Sequence, residues 1–100
     1  MKKIKYLLVL LAVTSLSSIA YAGDAEAGKA KSALCAACHG PEGVSPNDLW
    51  PNLAGQKPGY LIKQLKMFKD GSRKDPMMSP MAAPLSDEDV DNLAAYFSSL

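Results

Sequence analysis

The residues of this 100-residue chain best suited by type and spacing to do chemistry are Cys35-Ala36-Ala37-Cys38-His39. Two thiols separated by two residues stand about one helical turn apart, within reach of the two vinyl groups on one edge of a porphyrin, and the next residue then falls beneath the ring. A neutral imidazole nitrogen in that position can bind iron axially. The pattern reads as the attachment site of one c-type haem, with thioether bonds from Cys35 and Cys38 and an iron ligand from His39. A redox dithiol would want a βαβ context and a structural disulfide a useful loop to close, and neither is visible. Zinc takes about four ligands, and the chain has no Cys or His beyond these three.

Because His39 is the one histidine, a second imidazole from the same chain is excluded. Met77, Met78 and Met81 all lie in the short segment from Asp75 to Leu85. Methionine fills core gaps well, but with a haem inferred the second axial position must either be completed or stay open. A thioether from this segment completes it, and Met/His ligation raises the reduction potential. Met67 belongs to the preceding helical stretch and reads as core.

The elements that must position these groups follow from pattern. Asp24 is an N-cap for a helix running through Ala25, Ala27, Ala30 and Leu34, so the cysteine motif rides on its end. Gly28 inside it marks either a close backbone approach or a tolerated surface glycine. Prolines and glycines from Gly40 to Gln56 predict a loop, in which Leu49, Trp50 and Leu53 cover a core edge or line the haem on the histidine side. Pro58 opens a second helix with Tyr60, Leu61, Gln64, Leu65 and Phe68 at helical spacing, closed by Asp70-Gly71. Its other side carries Lys63, Lys66 and Lys69, flanked by Lys57, Arg73 and Lys74: a solvated face, or a docking surface for an acidic redox partner. Three prolines predict an irregular loop over Asp75–Leu85. Ser86 and Asp89 form a capping box for a last helix with an apolar stripe of Val90, Leu93, Ala94, Phe97 and Leu100, and Tyr96 beside it. With no alternating strand pattern and no repeats, the expectation is an all-α domain of three main helices around a prosthetic group.

Ahead of this domain, Lys2, Lys3 and Lys5 precede the apolar run Leu7–Val13, and Ala20-Tyr21-Ala22 is a small-x-small cleavage site. Residues 1–22 are expected to be an export signal cleaved after Ala22, too short and too interrupted by Ser and Thr to remain as a permanent membrane anchor. Residues 23–100 then form one small domain, and a covalent haem is the staple that so small a core needs. Three of the eleven basic residues leave with the signal, so eight Lys+Arg face ten Asp+Glu, a formal charge of −2. A nucleic-acid partner would call for a strong basic excess, which is absent.

Taken in order, these segments resemble the class I cytochromes c, especially the short periplasmic single-haem members from bacteria. Trp50-Pro51-Asn52-Leu53-Ala54-Gly55-Gln56, Met78-Ser79-Pro80-Met81, Leu85-Ser86-Asp87-Glu88-Asp89 and Leu93-Ala94-Ala95-Tyr96 carry the likeness beside the cysteine motif. They are similar as well to each half of the dihaem members, although one motif excludes the full dihaem form. The resemblance implies a small cytochrome c fold with one covalent haem c and its iron. It implies thioethers at Cys35 and Cys38, and iron ligation by His39 and Met78, with Met81 as runner-up. It also implies that the Pro51 carbonyl accepts the other imidazole N–H. In function it implies a monomeric periplasmic electron carrier, not an enzyme, that shuttles single electrons between respiratory redox partners through transient contacts. Two rivals stand beside it. One is a haem enzyme or ligand sensor with an open sixth position, which would need a distal acid or base. The other is a haem-bearing subunit of a larger redox complex.

Overall fold

A computed structural model describes residues 1–15 and 22–100; Ala20 and Tyr21 of the expected cleavage site lie outside the described residues. Residues 1–15 are exposed and without regular structure, and no described helix is long and apolar enough to cross a membrane. The folded part consists of α1 (Ala25–Lys31), a 3₁₀ turn (Ser32–Leu34), α2 (Ala36–His39), α3 (Pro58–Asp70), α4 (Met78–Ala82) and α5 (Asp87–Ser98), with no strand among the described residues.

The central packing is that of α1 on α5, with α3 against α5 and α4 against α3. Gly28 is the reason α1 and α5 come so close. A Cβ there would stand 1.9 Å from the Asn92 carbonyl oxygen and 2.8 Å from the Tyr96 Cβ, so of the two readings of this glycine the close backbone approach holds. Polar contacts fix the register of the pair. The buried Asn92 accepts the Asp24 backbone N–H at 2.8 Å, and Lys31 Nζ lies 3.5 Å from Asp89 Oδ2. Asp24 caps α1 through the Glu26 and Ala27 N–H groups, and Ser86 and Asp89 cap α5 reciprocally.

Four expectations need correction. The cysteine motif does not ride on the end of the first helix: α1 stops at Lys31, tightens into the 3₁₀ turn and restarts as α2. Helical propensity runs on through Ala33 and Leu34, but the chain must turn to face the core. The Asp75–Leu85 segment is not all loop, because Met78–Ala82 is helical. Asp75 Oδ1 accepts the Met77 and Met78 N–H groups, each at 2.8 Å, which makes Asp75-Pro76 a helix opening, with proline where its missing N–H costs nothing. Leu100 falls off the apolar stripe: α5 ends at Ser98, leaving that side chain 46% exposed. Met67 is half-buried and outside the core cluster, which is built from Leu61, Phe68, Ala82, Leu85, Val90, Leu93, Ala94, Tyr96 and Phe97.

Candidate haem site

That core is hollow. A cavity of about 620 Å³ runs between α2 with its following loop on one side and α3 and α4 on the other, a size in the ordinary range for cofactor sites. Leu61, Leu65, Phe68, Leu93 and Phe97 are among its apolar walls. Left to water, these apolar walls would forgo about 25 cal/mol for each Å² that a partner could cover, so a large apolar body suits them.

One wall presents Cys35, Cys38 and His39. The backbone N–H groups of Cys38 and His39 both point back to the Cys35 carbonyl, at 3.3 and 2.9 Å, so the turn of α2 sets both thiols and the imidazole on one surface. Gly40 then leaves the helix at φ 84°, where a Cβ would lie 1.9 Å from the Val44 oxygen; no other residue allows this exit. Both cysteines are free thiols. Burial pushes the Cys35 thiol up, and the neighbouring Cys38 adds to the rise. A dithiol redox pair is activated by the opposite shift.

His39 is buried, and its Nδ1 lies 2.7 Å from the Pro51 carbonyl oxygen. With Nδ1 protonated to donate there, the Nε2 lone pair is the one left free. The loop bearing Pro51 is held at many points. Gly43 O accepts the Leu53 and Ala54 N–H groups at 2.8 and 3.0 Å, and Phe97 O accepts Gly55 N–H at 2.8 Å. Asn52 Oδ1 accepts Ser45 N–H at 2.7 Å, while Ser45 Oγ donates to Cys38 O at 3.2 Å. Leu49, Trp50 and Leu53 all line the cavity, Leu49 at its rim.

Facing this wall, α4 presents thioethers. Met77, Met78 and Met81 line the cavity, but they differ in depth: Met78 is half-buried and packed on the core, whereas Met77 and Met81 are 51% and 41% exposed. Lys69 Nζ donates to the Leu85 carbonyl and so ties α3 to the end of this segment. The residues present thus suit a covalently held porphyrin with an imidazole on one face and a thioether on the other. Two participants escaped the sequence reading. Asp75 was legible as Asp-Pro ahead of the methionines, and Asn92 carried no signal, being one polar residue in a helical apolar run.

Comparison with known proteins bears on the same residues. The family described as Cytochrome c matches residues 25–100. Cytochrome c4 of Pseudomonas aeruginosa is 48% identical over 96 residues, which is 95% of this chain and 48% of that protein. Cytochrome c-554(548) of Halomonas halodenitrificans is 48% identical over 81 residues, 78% of this chain and 98% of that one. The crystal structure of reduced recombinant cytochrome c4 from Pseudomonas stutzeri superposes with a TM-score of 0.74 at 52% identity, covering 78% of this chain and 46% of that chain. The chain therefore spans about half the length of its cytochrome c4 relatives.

Proposed function

The chain belongs to the cytochrome c family, an all-α fold that carries covalent haem c with iron, and on that premise we propose that it is a one-electron carrier of the periplasm. When bound, the haem iron supplies the ferric/ferrous couple. Cys35 and Cys38 hold the group covalently. His39 offers Nε2 to the metal while Pro51 fixes the ring through Nδ1, which orients the ligand and raises its basicity. Met78, the half-buried one of the three cavity-lining methionines, would supply the second ligand to the iron, with Met81 as runner-up. Apolar side chains around them restrict water and so limit the reorganisation that accompanies a change of charge.

The observation that carries this reading is the pair of facing walls, an imidazole tied to a carbonyl on one and a thioether helix packed on the core on the other. On this assignment His39 and Met78 would both be offered to the metal, and the rival enzyme or sensor would need one of them to leave before a substrate could reach it. We further read residues 1–22 as an export signal cleaved after Ala22, and residues 23–100 as a monomeric domain that meets respiratory donors and acceptors transiently. The test is a redox titration of the purified holoprotein with and without cyanide. A one-electron Nernst curve and a spectrum indifferent to cyanide on the minutes scale support the carrier. Rapid, stoichiometric cyanide binding would point to an open site instead.

A further inference from the structure

The hydrogen bonds of the methionine segment are almost all its own. Asp75 Oδ1 accepts the Met77 and Met78 N–H groups, and Ser79 Oγ accepts the Asp75 N–H at 3.0 Å. The Ser79, Ala83 and Leu85 N–H groups reach the Asp75, Ser79 and Ala82 carbonyls at 3.0, 3.1 and 3.0 Å. All of these close within residues 75–85. Among the described residues, one hydrogen bond ties the segment to another element: Lys69 Nζ, from the last turn of α3, donates to the Leu85 carbonyl. The neighbouring cation, Arg73, is engaged elsewhere, with its guanidinium carbon 4.5 Å over the Phe68 ring and Nη1 donating to Gln64 Oε1 at 2.7 Å.

Packing holds this segment from one side only. Ala82 and Leu85 are buried in the core, and Met78 packs on it. Behind α4, on the side of Ser79, Pro80 and Ala83, lies a groove of about 620 Å³ that Phe68, Lys69 and Gly71 also line. The helix is thus a partition of five residues, with the cavity before it and the groove behind. So short a helix has little stability of its own, and the bond from the half-buried Lys69 ammonium is charge-assisted, hence among the stronger kind. We propose that Lys69 is a positioning residue for the methionine ligand: by holding the Leu85 carbonyl it keeps α4, and with it the Met78 thioether, against the cavity and out of the groove.

This inference rests on Met78 as the second ligand. Without the tie, local opening of α4 costs less, and the thioether leaves the metal more often. The experiment follows imidazole binding to the ferric holoprotein by stopped flow, comparing wild type with Lys69→Leu and Lys69→Arg. At saturating imidazole the rate is limited by departure of the methionine, seen as loss of the methionine-to-iron charge-transfer band. Native-state hydrogen exchange of the same proteins accompanies it. The Ala83 and Leu85 amides report on the segment, and the Gly28 and Val90 amides, bonded to the Asp24 and Ser86 carbonyls, report on α1 and α5.

In Lys69→Leu the plateau rate rises about tenfold, the effect expected for loss of a hydrogen bond from a charged donor. The Ala83 and Leu85 amides exchange faster, while the Gly28 and Val90 amides are unchanged. Lys69→Arg recovers most of the wild-type rate, because a guanidinium can donate to the same carbonyl. An unchanged plateau rate in Lys69→Leu would overturn the proposal. So would a faster rate matched by equal acceleration of exchange at Gly28 and Val90, since Lys69 would then support the whole fold and not the position of α4. Failure of the underlying ligand reading looks different: the wild type would lack the charge-transfer band, or its rate would climb with imidazole without a plateau.

Discussion

The two walls of the cavity are built by different means. On the histidine side, a buried ring is tied to a loop whose own backbone is pinned at Gly43, Ser45, Asn52 and Gly55. Facing it stands one short helix, Met78–Ala82, opened by a single carboxylate and carrying the half-buried Met78 and the exposed Met81. Many independent bonds make the first wall hard to open locally, whereas the second rests on few and is the one expected to give way first. With His39 and Met78 as the proposed ligands, the contrast puts the more firmly held one on the histidine side.

The largest effect expected is on both walls at once. Replacing Cys35 and Cys38 by Ala removes the thioether bonds, so no haem should stay with the polypeptide after denaturing extraction, measured as haem stain on a denaturing gel. Next comes the shared scaffold. Gly28→Ala forces a Cβ against the Asn92 carbonyl and should cost about 1–3 kcal/mol, read in denaturant melts, lowering both walls together. Asp75→Ala then separates them. The N–H groups of Met77 and Met78 lose their acceptor, and the methionine charge-transfer band should disappear earlier in a denaturant titration than in wild type, while the histidine-bound haem persists. If both signals moved together, the two walls would be one cooperative unit.

The smallest effect is one of pH. Hydrogen bonding from the Ser86 N–H first, and the nearby Lys31 last among charges, holds the Asp89 carboxyl below the usual carboxylate range. Its folded value is thus depressed, so the unfolded state binds more protons in the acid range and stability rises with pH there. The contribution is complete above the unfolded value of about 3.9 and is lost as pH falls through the folded one. Asp89→Asn should flatten the melting temperature against pH below about pH 4, leaving the order in which the two walls open unchanged.

How much of this could be read from the sequence differs between the walls in the same way. Cys35, Cys38 and His39 announce themselves because attachment chemistry needs them contiguous, and the capping box at Ser86 and Asp89 is equally local. The loop around Pro51 was legible as loop, but no pattern in it encodes which carbonyl meets His39; that came only from family resemblance, and the geometry places Pro51 O at 2.7 Å. The methionine segment misled because three prolines suggest irregular chain, when Pro76 and Pro80 in fact stand where an early helical turn tolerates them. The Asn92–Asp24 bond and the Arg73–Gln64 contact depend on tertiary approach, which no single-sequence period reports.

The central claim is that His39 and Met78 close the iron from opposite walls. It is tested most directly by the visible and near-infrared spectrum of the oxidised holoprotein, recorded for wild type, Met78→Ala and Met81→Ala after expression in a host that attaches c-type haem. The account predicts a low-spin wild type with a methionine-to-iron charge-transfer band that survives in Met81→Ala and vanishes in Met78→Ala. A high-spin wild type lacking that band, or a band lost only in Met81→Ala, would contradict it.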